Sequence, residues 1–354
     1  MSIIIAVLIF CIIIIVHEIG HFSAARLFKM RVYSFNLGMG PTLLKKRRNN
    51  TDYCLKAIPF GGSVQLGEDD EEENDPNAFR RKPVWQRMIV MLAGAFMNIV
   101  LGFLLCIIIV STESKIVTTT IDIFREEPLS NQHLREGDKI THVNGMRIFT
   151  FFDLDYQLIN TEMKMSEGSD RAYFNFTVRR NGEKIKLENV AFRARDKENG
   201  GKSIYRDFYV LPGEKNVFSV TSEAARQAAT YSRLVIITLI DLIRGTYGIN
   251  DISGPVGVVT IIGEVSQSGF ERSIIDGIRN ALIMAALITV NVGIFNLLPV
   301  PALDGARFLF FAVEAVRRKP LKAELEGMIH FIGFAALMLF MVLITVLDVR
   351  KLFG

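Results

Sequence analysis

Apolar positions in this chain fall into long unbroken blocks, not into the alternating or one-faced stripes of a soluble core. Four blocks, residues 3 to 23, 88 to 110, 281 to 303 and 328 to 347, reach the length of about 20 helical residues that crosses a bilayer. The first and third carry polar residues that a purely anchoring helix avoids. From 114 to about 215 the pattern changes: charge rises, Tyr173 to Val178 reads as strand, and Asn144-Gly145 and Asn181-Gly182 supply hairpin turns. Residues 222 to 244 predict a helix whose apolar centre, Leu234 to Ile240, is short and flanked by Arg233, Asp241 and Arg244, which favours an interfacial position over a crossing.

The expected fold is a polytopic α-helical membrane protein of about four transmembrane helices with an inserted α+β domain. Its parts are a membrane region at 1–113, the inserted domain at 114–215, an interfacial helix with a connecting segment at 216–280, and the third and fourth spans at 281–354.

Composition agrees: half of the residues are hydrophobic and the net charge is only +4. The lipid bilayer is therefore the first partner, and the basic residues do not form the stripe that nucleic acid requires. They gather between the first and second blocks (Arg26, Lys29, Arg31, Lys45 to Arg48, Arg80 to Lys82, Arg87) and between the third and fourth (Arg317 to Lys319, Lys322). By the positive-inside rule both loops are cytoplasmic, so both termini and residues 111 to 280 are expected outside. The acidic run Glu68 to Asp75 does not alter that assignment and reads as a solvated loop, with gating or docking the sharper alternative. Cys11, Cys54 and Cys106 are too widely spaced for a disulfide framework or a CxxC metal site. The first block lacks a basic leader and a small-residue cleavage site, so it predicts a retained span and not a signal peptide.

The first block ends in His17-Glu18-Ile19-Gly20-His21, an H-E-x-x-H pattern. Two imidazoles four positions apart project from one helix face and can share a zinc ion, with Glu18 placed as general base. Fourteen consecutive apolar residues precede His17, and ionisable groups at membrane depth are expensive unless they function. A helical rise of about 1.5 Å per residue places His17 roughly 20 Å into the bilayer. Zinc that keeps one position open needs a third protein ligand. Asn296-Leu297-Leu298-Pro299-Val300-Pro301-Ala302-Leu303-Asp304-Gly305 offers Asp304 on a segment that two prolines bend, at matching depth. A helix cap or a turn residue is the competing reading for Asp304.

H-E-x-x-H in a first span with N-x-x-P-x-P-x-L-D-G in a later one resembles the bacterial site-2 proteases. Further blocks occur in the family's order: His21 to Phe28, Phe35-Asn36-Leu37-Gly38-Met39-Gly40-Pro41, Ile58-Pro59-Phe60-Gly61-Gly62-Ser63-Val64 and Ser253-Gly254-Pro255-Val256-Gly257. The resemblance implies zinc held by His17, His21 and Asp304, Glu18 as catalytic acid/base, and Asn296 as a substrate-positioning residue. It implies cleavage of transmembrane segments of membrane proteins in a bacterial cytoplasmic membrane, after a first extracytoplasmic cut, with an anti-sigma factor or signal-peptide remnants as substrates. Ala306 and Arg307 depart from the Gly-His that follows L-D-G in many relatives. The insert resembles a PDZ domain through Leu134-Arg135-Glu136-Gly137-Asp138-Lys139-Ile140 and Val143-Asn144-Gly145, in the single-PDZ pattern.

A helical substrate must unwind before its peptide bond is reached, and the exposed backbone groups need partners. The loop Gly61 to Gly67 can pair with an extended segment by strand addition, and Asn296 and Asn291 can offer amides; an ordinary turn is the competing reading for Gly61-Gly62. His330 reads as an interfacial histidine in preference to a residue that perturbs the site, and Asn98 with Gly94 as helix-packing residues. Two other functions use similar features, a membrane metal transporter and an inactive PDZ-bearing scaffold. Glu18 beside a lone metal site, and the full set of catalytic residues, favour the protease.

Overall fold

The structure, a computed structural model, describes residues 2–66, 75–162, 165, 169–196, 202–246 and 252–353. In chain order the elements are α1 (Ser2–Leu27), β1 (Ser34–Arg48), β2 (Thr51–Gln65), α2 (Val84–Thr112), β3 (Ile116–Phe124), β4 (Lys139–Val143), β5 (Met146–Arg147), α3 (Phe151–Glu162), β6 (Arg171–Arg180), β7 (Glu183–Asp196), β8 (Lys202–Tyr205), β9 (Phe208–Gly213), α4 (Val217–Ile243), α5 (Pro255–Phe270), α6 (Ile274–Asn296), α7 (Asp304–Arg317) and α8 (Ala323–Phe353). They form two compact units, Met1–Leu105 with Tyr231–Gly354, and Cys106–Thr230.

Four helices are long and apolar enough to cross a membrane: Ile3–Leu27, Val84–Thr112, Ile274–Asn296 and Glu324–Lys351. The third differs from its predicted bounds. It starts early because Ser273 caps it, its hydroxyl accepting from the Asp276 amide at 3.0 Å. It stops at Asn296 because Pro299 and Pro301 cannot continue a helix. The expected bend is therefore present, but Asp304 does not end the third span; it opens a separate helix, α7. A second unanticipated helix, α5, lies in the segment read as a connection, with Pro255 at its first turn after Gly254. Asp348 of α8, buried, accepts from the Gly257 amide at 2.8 Å and satisfies one of the orphan donors of that turn.

Within the first unit α1 packs on α5 through Ala6, Ile9, Ile13 and Ile262. A second cluster, including Ala25, Met30, Val90, Phe79 and Phe311, fills the space at the other end of α1. Large apolar side chains such as Ile4, Leu8, Phe331 and Leu339 stay exposed, as a lipid-facing surface requires. The start of α2 is tied to α7 by Arg87, whose guanidinium donates to both carboxylate oxygens of Glu314 at 3.1 and 2.6 Å, donates to the Lys82 carbonyl, and lies over the Phe311 ring.

β1 and β2 are long and bent. Residues 34–37 are flanked on one side by 52–55 and on the other by 62–65, while 42–48 closes a hairpin with 51–56. Asn36, buried, ties this arrangement by donating to the Ser63 hydroxyl at 3.0 Å. Phe22 of α1 packs edge-on against Phe35 and Tyr53, so the strands are anchored on the first helix. The acidic run lies outside the described residues except Asp75, which pairs with Arg31 at 2.9 Å.

The second unit holds a sheet in the order β8-β7-β6-β4-β3-β9, with β5 on β4. Strand alternation buries Ala172, Phe174, Phe176 and Val178 together with Phe192 and Phe208. Asn144-Gly145 and Asn181-Gly182 turn the chain as predicted, each with both residues at positive φ. This sheet-rich half-barrel is consistent with a PDZ-like domain. Asp138 of the quoted motif is fully buried and takes two donations from Arg180, both at 2.7 Å.

Two outcomes follow from these contacts. Replacing Glu314 by Ala leaves a largely buried guanidinium unpaired and should cost roughly 3 kcal/mol, read as a lower midpoint of thermal unfolding in detergent. In the second unit, burial pushes the Glu223 carboxyl up to about 7; Arg226 opposes the shift, and Glu113 and Asp153 add to it. The folded state therefore holds a proton that the unfolded chain releases above about 4.5, so this group's contribution is complete below that pH and is lost as pH rises through about 7. Glu223→Gln should flatten the stability of this unit between pH 5 and about 8 and raise it at the upper end, as followed by hydrogen exchange.

Candidate active site

The apolar run of α1 builds one uninterrupted helix, so the four-residue spacing of His17 and His21 places both imidazoles on one face. Their Nε2 atoms lie 3.1 Å apart and the rings meet edge to face. From the first turn of α7, Oδ2 of Asp304 comes within 3.0 Å of His17 Nε2 and 3.2 Å of His21 Nε2.

The surrounding helices decide which nitrogens face inward. His21 Nδ1 lies 2.8 Å from the Val90 carbonyl of α2, which can only accept, so Nδ1 carries the proton and Nε2 presents its lone pair. His17 Nδ1 faces the side-chain amide of Asn98 at 3.4 Å. Asn98 is fully buried and its Oδ1 has no hydrogen-bond partner among the described residues. Turning the amide over brings Oδ1 to His17, where it accepts the Nδ1 proton and frees Nε2 in the same way. Gly94, one turn before Asn98, makes room: a Cβ there would stand 2.7 Å from Cε1 and 2.8 Å from Nε2 of His17.

Three electron-pair donors thus converge. Oδ2 of Asp304 is buried with no hydrogen-bond donor of acceptable geometry, and two imidazole lone pairs face it. Such a cluster repels itself unless a cation lies at its centre. Ligand atoms of a tetrahedral zinc, at about 2.0–2.1 Å from the ion, stand roughly 3.3 Å from one another. The separations of 3.0, 3.1 and 3.2 Å fit that ion, and two nitrogens with one carboxylate leave its fourth position open. Among the described residues this is the group of histidine, cysteine and acidic side chains able to hold a metal.

Glu18 lies beside the cluster, half-buried, with its carboxyl near the backbone amide of Val64. Gly62 abuts it: a Cβ at that position would stand 2.7 Å from Glu18 Cγ. Gly61, at φ +83°, and Gly62 belong to strand β2 and not to an isolated turn. Asn296 is half-buried at the end of α6, and Asn291 is exposed one turn earlier; neither joins the converging atoms.

With this geometry in view, the comparisons are specific. The model of peptidase family M50 matches residues 5–340. The chain belongs to peptidase family M50. This M50 chain is 31% identical to a Fusobacterium nucleatum protein described as a candidate zinc metalloprotease, over 100% of both chains. It is 28% identical to the zinc metalloprotease RasP of Geobacillus kaustophilus, covering 99% of this chain and 98% of the relative. It is 26% identical to the regulator of sigma-W protease RasP of Bacillus subtilis, over 98% of each.

Asn98 and Gly94, packing residues by sequence, lie against His17 and His21 in this M50 chain. A signal was present: Val90, Gly94 and Asn98 recur every four positions, one face of a helix, with an amide at membrane depth. Gly94→Ala should keep the helix, since alanine is the better helix former by about 1 kcal/mol, yet reduce zinc affinity at least tenfold. Competition with a chromogenic chelator on the detergent-purified chain checks it.

Proposed function

We propose that this chain is a zinc-dependent intramembrane endopeptidase in which His17, His21 and Asp304 hold the metal and Glu18 moves the proton. The observation that carries the reading is the convergence of three donor atoms beside Glu18, two of them on a helix apolar enough to cross a bilayer and the third from the first turn of α7. When bound, zinc supplies a water activated at neutral pH and polarises the scissile carbonyl. Glu18 accepts the proton of the attacking water and returns it to the departing amine. The Val64 amide lies near the carboxyl through both transfers. Val90 and Asn98 hold the imidazoles in the tautomer that ligates.

The substrate is the transmembrane segment of a membrane protein, unwound at the scissile bond. Residues 62–65 form the outer strand beside 34–37, next to Glu18, so an extended substrate adds to that edge with its peptide bond beside the carboxyl. Gly61 and Gly62 keep this edge free of bulk, and Asn296 and Asn291 offer amides from α6. The basic loops face the cytoplasm; the termini and the PDZ-like unit lie outside the cell membrane. In that orientation the enzyme makes the second of two cuts, after an extracytoplasmic protease has trimmed the substrate, with an anti-sigma factor or signal-peptide remnants as the substrate class.

Glu18→Gln should keep stoichiometric zinc and lose roughly 10²–10⁴ of the cleavage rate on a model span. Asp304→Ala should lose the metal itself, with Asp304→Asn intermediate because a neutral amide oxygen ligates weakly. Metal analysis of the purified variants alongside peptide-bond cleavage separates the two roles. Substantial cleavage by Glu18→Gln, or full zinc in Asp304→Ala, would overturn them, and zinc transport into vesicles without cleavage would favour a carrier.

A further inference from the structure

The turn that delivers Asp304 is unusual in its backbone. Ala302, two residues before it, sits at φ +77°, a region that residues with a Cβ adopt only where their surroundings impose it. Within the turn, the Val300 amide donates to Leu298 and the Leu303 amide to Val300, at 2.7 and 3.1 Å, which leaves the Ala302 amide without a partner in its own segment. That amide points to α8 and donates to Nδ1 of His330 at 3.0 Å.

A second contact reaches the same turn from the same face of α8. Gly333 lies three positions after His330, one helical turn along, and packs against Pro301 so closely that a Cβ would stand 3.0 Å from its Cγ and 3.1 Å from its carbonyl carbon. His330 is held in turn by Phe310 of α7, whose ring meets the imidazole edge to face with centroids 5.3 Å apart. The two contacts border a cavity of about 430 Å³ lined by Leu303, Asp304, Arg307, His330 and Phe334.

We propose that His330 is a positioning residue for the metal ligand Asp304: its Nδ1 holds the strained Ala302 turn in the one conformation that aims Oδ2 at the two imidazoles. The inference rests on the ligand assignment made above. The imidazole is not one of the three converging side chains and acts on Asp304 through the Ala302 amide. Gly333 completes the device by letting α8 close on Pro301. Without the acceptor the bond that ties this exposed amide to α8 is lost, the turn relaxes away from positive φ, and Asp304 moves with it.

The test compares two replacements in the full-length chain purified in detergent. His330→Asn places Oδ1 where Nδ1 stands and keeps the acceptor; His330→Phe keeps a ring against Phe310 and removes it. Zinc affinity is measured by chelator competition and cleavage of a model span is followed in parallel. His330→Phe should bind zinc about ten- to hundredfold more weakly, as loss of an orienting partner typically does, while His330→Asn stays within about threefold of wild type. Wild-type zinc affinity in His330→Phe would overturn the proposal, and so would equal losses in both variants, since the hydrogen bond would then not be what matters. Asp304→Ala in the same assay keeps the two readings apart. If it retains full zinc affinity the ligand assignment itself fails; if it loses zinc while His330→Phe does not, only the positioning role fails.

Discussion

Gly20 of α1 faces the backbone of α2 so closely that a Cβ would stand 2.8 Å from the Ala93 carbonyl carbon and 2.9 Å from Gly94 Cα. Gly94, on the other side of that contact, leaves space for both imidazoles. Lipid gives no hydrophobic drive for helices to associate, so backbone approach through small residues is what brings α1 against α2. Everything else at the site depends on that approach. Only with α2 this near can the Val90 carbonyl and the Asn98 amide reach the outer nitrogens of His21 and His17, and only then do both Nε2 lone pairs turn inward.

Asp304 arrives by a different route. α7 is fixed at its far end by the Arg87–Glu314 pair and at its near end by the turn over Pro299 to Leu303, so Asp304 is set by contacts to α2 and α8 rather than by its own neighbours. Two histidines on one helix and a carboxylate on a braced turn make a site whose shape is set by its supports. Such preorganisation is what a metal with an open position needs, because the supporting shell decides both affinity and the reactivity left for substrate.

How much of this was legible in the sequence follows from the range of each interaction. The pair His17 and His21 with Glu18 is a local pattern on one helix, and was readable from periodicity alone. The four spans were readable from length, except where Ser273 and the two prolines shift the third. Asp304 was reachable through its motif, though its placement at the start of α7 was not, because helix propensity after two prolines is weak evidence of a new helix. The role of His330 was hidden: it depends on a positive φ at Ala302 and on α8 meeting Pro301, neither of which composition or spacing encodes. Gly62 beside Glu18 was hidden for the same reason, since strand β2 reaches α1 only through the tertiary packing of Phe22 on Phe35 and Tyr53.

Two of the converging donors lie in the first candidate span and the last on α7, with two further spans between them in the chain. An ion held by all three would be a cross-link that closes a loop through most of the polypeptide, and the stability it added would belong to the assembled bundle and not to any one helix. Order of synthesis then acquires chemical meaning. The helix that bears His17, Glu18 and His21 is made before α7, so it carries only two of the three converging donors until α7 has been made and seated. On the proposed assignment a growing chain is an incomplete protease by construction, and hydrolytic competence is tied to the final steps of its own folding.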